Sequence, residues 1–397
     1  MDICLMPEHT TRMSEAPAIV IVNKLLLQAC SLRASDIHLE PFKESLCVRF
    51  RIDGILYVQP AIEKKHMLQV LSRLKVLAHT NVAEKRMPQD GKFSYVFDTR
   101  SIDCRLATFP CVYGEKIVIR LLDRTTALVS LHTLGLSTAM AEQVLKMSTQ
   151  SQGFFLVTGP TGSGKTTTLH ALLSTLKTTD KNIVTLEDPI EYHIEGITQG
   201  QIFPEIGFTF ECGVRALLRQ DPDIIMVGEI RDKKTGQVAI QAALTGHLVL
   251  STLHTNDTIS TLMRLLDMGI EPFLINAALS GVLAQRLVRK LCIVCRIPTV
   301  LSESQALIIK KYNLVLEQVF TSTGCSECQG TGHKGRIGIF ELLLVTHELR
   351  SLITQQPAFN ALYNQAIQDG MRSFLYDATD KINQGSISLD EFIRSAL

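Results

Sequence analysis

The sequence predicts a multidomain α/β protein: a parallel sheet covered by helices, preceded by an α+β unit and followed by a small cysteine-organised segment and further helices. Three observations carry this expectation. From Met140 to Leu253, helical stretches alternate with short apolar runs: GFFLVT, TTTLHALLSTL, NIVTLED, GVRALLRQ, DIIMVGE, GQVAIQAALTG and LVLSTL. Such alternation reads as parallel strands buried on both faces. Between the first of these strands and its helix lies GPTGSGKT, and two Cys-x-x-Cys pairs, CIVC and CSEC, come later. At 397 residues the chain also exceeds one ordinary core, because a domain averages roughly 150 residues.

Taken in order, residues 1–16 read as a short tail and 17–123 as the α+β domain. Pro17–Ala34 has helical apolar spacing with Pro in its first turn. Leu46–Pro60 alternates around Asp53-Gly54, the pattern of a hairpin with a tight turn. A helix over Lys64–Ala78 and a β-rich run over Phe93–Leu122 complete the unit. Residues 124–134 read as a linker, 135–290 as the parallel-sheet core and 291–335 as the four-cysteine subdomain. Residues 336–397 read as a helical region, the stretch Glu341–Leu397 being broken by Gly370 and Gly385.

Composition excludes several classes. With 46% hydrophobic and 20% charged residues the chain is folded rather than disordered. Forty Lys and Arg against 39 Asp and Glu leave a net charge of +1, which gives no bulk attraction for a polyanion. Trp is absent, and no aromatic residues interleave with the basic ones as a base-stacking platform requires. The start, MDICLMPEHTTRM, lacks the basic and apolar regions of a secretory signal. The longest uncharged stretches, such as Met147–Gly164, carry polar residues throughout, which is wrong for a membrane span. A cytoplasmic protein is expected, with any membrane contact made through a partner.

Gly159–Thr166 matches GxxxxGK[ST] in the required strand-to-helix context. Glycines 159, 162 and 164 let backbone amides wrap phosphates, and the helix N-terminus adds its positive dipole end. The candidate nucleotide site is therefore Gly159, Pro160, Thr161, Gly162, Ser163, Gly164, Lys165, Thr166 and Thr167. Lys165 is expected on the β- and γ-phosphates and Thr166 on magnesium. DIIMVGEIRD supplies an acidic strand end. There Glu229 orients the attacking water or holds the magnesium shell; the plainer reading is a surface carboxylate paired with Arg231. Glu187, in TLEDPIEY, competes for the role of base. His247 and His254 flank the strand LVLSTL and so lie at strand ends, as site residues or as ordinary caps.

GPTGSGKTTT, TLEDPIEY, RQDPDIIMVGEIRD and TGHLVLSTLHTND in series, with ASDIHLEP, RIDG, MPQDGKF and YGEKIVIRLLD upstream and AQRLVRKLC downstream, resemble the secretion ATPase superfamily of type II secretion and type IV pilus assembly. The resemblance implies a RecA-like ATPase core behind a PAS-like N-terminal domain. It also implies a homo-hexamer with ATP between subunits, working with an inner-membrane platform and a cytoplasmic recruiting protein. Arg105 and Arg120 match arginines that the N-terminal domain brings to the phosphates, while Arg215, Arg219 and Arg231 match further basic positions. Lys234, Gly236 and Ala107 depart from the pattern. The extra N-terminal domain of many members is expected to be missing. A DNA-uptake pilus motor or a nucleic-acid-dependent translocase is the alternative function.

Cys292, Cys295, Cys325 and Cys328 form two knuckles separated by the 29 residues 296–324. Two such knuckles close a tetrahedral zinc shell; a redox pair is the competing reading. A four-cysteine insert here resembles the secretion and pilus-extension branch, as does GMRSFLYDATDKINQGSISLDEFIRSA. The other six cysteines, at 4, 30, 47, 104, 111 and 212, read as inert core thiols. The expected cofactors are ATP, magnesium and zinc.

Overall fold

The computed structural model describes residues 17–123, 130–355 and 358–396. The N-terminal tail, Cys4 and the first six linker positions lie outside them. The chain forms two compact units, 1–126 and 127–397.

In the first unit the order is α1 (Pro17–Ser31), β1 (Asp36–Pro41), β2 (Ser45–Ile52), β3 (Ile55–Glu63), α2 (Lys64–Leu77), β4 (Gln89–Phe97), β5 (Arg100–Cys111) and β6 (Gly114–Asp123). All strand pairs are antiparallel, in the order β3-β2-β1-β6-β5-β4. Alternation sends Ile37, Leu39, Val48, Phe50, Ile117 and Ile119 into a core shared with α1 and α2. The first helix stops at Ser31 rather than Ala34 because Arg33 takes a left-handed conformation, φ 54°. Inside this core the Lys75 ammonium meets Glu115 at 2.8 Å and also donates to the Glu84 carbonyl.

The second unit opens with α3 (Leu131–Leu134), so the end of the expected linker is helical, capped by the Ser130 hydroxyl. It continues through α4 (Thr138–Ser148), β7 (Gly153–Thr158), α5 (Lys165–Leu176), β8 (Ile183–Glu187), β9 (Thr198–Gln201), α6 (Phe210–Leu217), β10 (Ile224–Val227), α7 (Lys233–Leu244), β11 (Leu248–Leu253), α8 (Thr258–Asp267), α9 (Pro272–Ala278) and β12 (Leu279–Leu291). The remaining elements are β13 (Arg296–Thr299), α10 (Glu303–Tyr312), β14 (Val319–Ser322), β15 (His333–Leu344), α11 (His347–Thr354), α12 (Phe359–Gln368), α13 (Phe374–Asn383) and α14 (Leu389–Ala396). Seven strands lie in the order β15-β12-β7-β11-β10-β8-β9, all parallel except β15 against β12. Phe154 and Leu156 of β7 enter one apolar layer, and Phe155 and Val157 enter the other. This is the RecA-like α/β fold, with its sheet buried on both faces.

Two sequence readings are corrected here. The stretch expected to be wholly helical from Glu341 begins inside β15, a strand of the main sheet. Its FELLL run is buried on both faces through Leu343, Glu341 included, so it lacks the alternation that marks a half-buried strand. The six remaining cysteines are not all core thiols: Cys104 is buried, Cys30 and Cys47 are half-buried, and Cys111 and Cys212 are exposed.

Candidate functional site

The C-terminal ends of β7, β8, β10 and β11 open on one cleft of about 440 Å3, the edge at which a parallel α/β sheet holds its ligand. Past β7 the chain turns through Gly159, Gly162 and Gly164, with φ of 148°, 79° and 88°. A Cβ on Gly159 would lie 2.3 Å from the carbonyl oxygen of Gln285, so only glycine fits. The Gln285 side-chain amide donates to the Ser163 carbonyl at 2.6 Å and braces the loop from β12. Thr161, Gly162, Gly164, Lys165, Thr166 and Thr167 line the cleft, whereas Ser163 is buried behind it.

Lys165 opens α5. Its ammonium donates to the carbonyls of Gly159 (2.9 Å) and Pro160 (3.2 Å) and lies 3.4 Å from His254 Nδ1. Burial lowers its pKa, and the Glu229 carboxylate works in the opposite direction. The loop carbonyls hold the cation where an incoming phosphate would compete for it.

Two carboxylates share the cleft. Glu229, just past β10, is bonded to Arg231 and lies 3.3 Å from His254 Nε2. Glu229 lines the cleft and keeps its bond to Arg231, so the geometry admits both readings of this carboxylate. Arg231 also reaches Asp188 at 3.4 Å and so ties two acidic segments. Glu187 ends β8, 3% exposed. Its carboxylate accepts from Thr185 (2.6 Å) and Gln199 (3.0 Å), and its other oxygen faces His170 Nε2 at 3.2 Å. Burial pushes the Glu187 carboxyl up, but these three bonds outweigh it and hold its pKa below the ordinary value.

The two candidate histidines part company. His254 follows the C-terminal end of β11 and joins the cleft. His247 precedes the same strand, and its ring nitrogen bonds the Ala242 carbonyl at 2.9 Å, as a helix-end cap would. Being at opposite ends of one parallel strand, the two cannot share this cleft. Arg105 and Arg120 belong to the first unit, directly opposite one another on β5 and β6. With Lys92 and Asp36 they line a cavity of about 630 Å3, and Arg120 donates to Asp36 at 3.2 Å.

Among the residues that escaped sequence reasoning are Leu287 and Arg336, which line the cleft, and Gln285 and His170, which brace it from behind. Gln285 stands in AQRLVRKLC, but a neutral amide inside an apolar strand carries no chemical flag.

The four cysteines converge. Cys292 and Cys295 flank a knuckle between β12 and β13, and Cys325 and Cys328 flank another between β14 and β15. All four Sγ atoms lie within 4.8 Å of one another. The separations are 3.8 Å for 292–325 and for 295–328, and 3.7 Å for 325–328. A sulfur tetrahedron around a cation at 2.3 Å has edges of about 3.8 Å, whereas a disulfide would need about 2.05 Å. Burial opposes charge here, yet backbone amides of Cys325 and Gly332, each 3.2 Å from Cys328 Sγ, lower that thiol to about 6. The donor set fits a thiophilic metal ion better than a redox pair.

A family model described as Type II/IV secretion system protein matches residues 11–394. The Type II secretion system ATPase E of Vibrio cholerae is 46% identical over 383 residues, which cover 96% of this chain and 75% of that protein. Among solved structures, the Legionella pneumophila ATPase DotB is similar with a TM-score of 0.70 at 22% identity, covering 99% of this chain and 98% of its own, a likeness of fold. The pilus retraction motor PilT, solved with bound ADP, matches with a TM-score of 0.55 at 26% identity over 94% of this chain and 98% of its own. With this match along nearly the whole chain, and with the phosphate loop and paired carboxylates at one sheet edge, the chain belongs to the type II/IV secretion system protein family and carries its P-loop ATPase core.

Proposed function

We propose that this ATP hydrolase is a magnesium-dependent motor. It powers a type II secretion system or a related pilus-assembly machine, pushing pilin-like subunits through an inner-membrane platform. One observation carries the reading: Thr161, Gly162 and Gly164–Thr167 of the loop meet Glu187, Glu229 and His254 in one cleft of a chain whose relative is named a type II secretion ATPase.

Loop amides and Lys165 bind and orient the β- and γ-phosphates. The Thr166 hydroxyl, and Glu229 through the ion's bound waters, would hold magnesium, which would supply neutralising charge to those phosphates. Glu187 suits the orientation of the attacking water, because three hydrogen bonds fix an ionised carboxylate. A lowered pKa is no handicap there, since phosphoryl transfer depends on positioning more than on base strength. Water attacks the γ-phosphorus as its bond to the β,γ-bridging oxygen breaks. In an assembled homo-hexamer Arg105 and Arg120 supply guanidinium charge to the phosphates. Zinc would be held by Cys292, Cys295, Cys325 and Cys328 in a structural role. The setting is the cytoplasmic side of the inner membrane, with attachment through protein partners.

Purified protein should hydrolyse ATP with magnesium and lose that activity on Lys165→Ala or Glu229→Gln. Undiminished turnover in both variants would overturn the assignment.

A further inference from the structure

His170 sits on α5, one turn beyond the phosphate-loop residue Thr167, and is fully buried. A carboxylate only accepts hydrogen bonds, so the 3.2 Å contact with Glu187 requires His170 to donate from Nε2. Its other ring nitrogen, Nδ1, is buried with no hydrogen-bond partner. That orphan costs stability, and an aromatic ring without nitrogen would fill the same space without the cost. The donor at Nε2 is what the imidazole adds.

The surroundings make this donor a brace. Tyr192 packs edge-on against the His170 ring, centroids 4.5 Å apart. Gln199 bridges Glu187 and the Tyr192 carbonyl, at 3.0 and 3.1 Å. Glu187 and the segment behind it are thereby fastened to the helix that begins at Lys165.

Resting on the reading of Glu187 as the water-orienting carboxylate, we infer that His170 is a positioning residue for ATP hydrolysis: its Nε2–H aims Glu187 and sets it relative to the phosphate loop. The titratable group bonded to Glu187 is His170 from α5; Tyr192 and Glu191 stand in the segment 188–197, and Lys165, Asp188, Glu229 and His254 line the same cleft, while Thr185 and Gln199 are neutral.

The test compares full-length His170→Phe, His170→Gln, His170→Asn and Glu187→Gln in steady-state ATP hydrolysis with magnesium, alongside nucleotide binding. His170→Phe keeps the ring and removes the donor. It should lower kcat by about tenfold or more with nucleotide affinity unchanged. The acid limb of its kcat profile should also move to higher pH, because a carboxyl that loses a donor becomes harder to ionise. His170→Gln places an amide N–H near the Nε2 position and should restore most of the turnover, whereas the shorter Asn should not. Should His170→Phe fail to fold, the Gln and Asn variants decide alone, and equal turnover in those two overturns the inference. So does His170→Phe with an unaltered kcat and pH profile while Glu187→Gln is impaired. If Glu187→Gln itself is fully active, the underlying reading of Glu187 fails instead.

Discussion

Gln285 on β12 gives its side-chain amide to the Ser163 carbonyl, bridging 122 positions of sequence at 2.6 Å. The phosphate loop is thus shaped by its own glycines and also by a neighbouring strand.

Replacing Gln285 by Leu should therefore harm the site without touching a phosphate contact. The Ser163 carbonyl would be left buried and unpaired, a loss of about 1–3 kcal/mol. The expected outcome is weaker ATP binding and a lower melting temperature, read by calorimetry and nucleotide titration. Gly159→Ala should be worse, because its methyl would meet the Gln285 carbonyl oxygen.

Metal removal gives a second expectation. Elemental analysis should find about one zinc per chain. A Cys292→Ser, Cys325→Ser double variant should lose it and gain protease sensitivity around residues 292–332. Full zinc content in that variant would exclude the four-sulfur site.

The Lys75–Glu115 pair offers a third, confined to the N-terminal unit. Both side chains are buried, at 1% and 6% exposure. Lys75→Met alone should cost about 3–5 kcal/mol by stranding the Glu115 carboxylate, while Lys75→Met with Glu115→Leu should recover most of the loss. Urea unfolding of the single and double variants measures both values.

Glu391 predicts an acid-dependent stability. Burial raises its carboxyl, but bonds from Arg394 and Arg289 prevail and lower it from an ordinary 4.5 to about 2. The stabilisation, up to about 3 kcal/mol, is complete above about pH 4.5 and drains away as pH falls towards 2. Glu391→Gln should flatten that segment of the stability–pH curve; an unchanged slope would refute the assignment.

How much of this was legible in the sequence follows from how local each signal is. The strands β7, β8, β10 and β11 announce themselves as continuous apolar runs because parallel strands are buried on both faces. The phosphate loop, Glu187 and Glu229 are legible for a related reason: each closes such a run at its C-terminal end. Strand β15 was hidden, since its partner β12 lies some 50 residues back by the register Gly281↔Leu344 to Leu291↔His333 and no turn signal joins them. His247 and His254 looked equivalent until strand direction was applied, because only one end of a parallel strand faces the ligand. His170 and Gln285 were silent: their value lies in which atom each touches, and periodicity does not encode that.

Strand β12 places Gln285 against the phosphate loop and ends at Leu291, one residue before the first of the four clustered cysteines. Seven residues at about 3.3 Å each set Cys292 roughly 23 Å from Gln285. A rod of that length acts as a pointer: tilting it by about 5° at the nucleotide end sweeps the cysteine end through about 2 Å. The register slip between Arg289 and Leu291 is where such a pointer would bend first. Any change at the phosphate loop that tilted β12 would therefore be felt most strongly at the four sulfurs, where the strand ends.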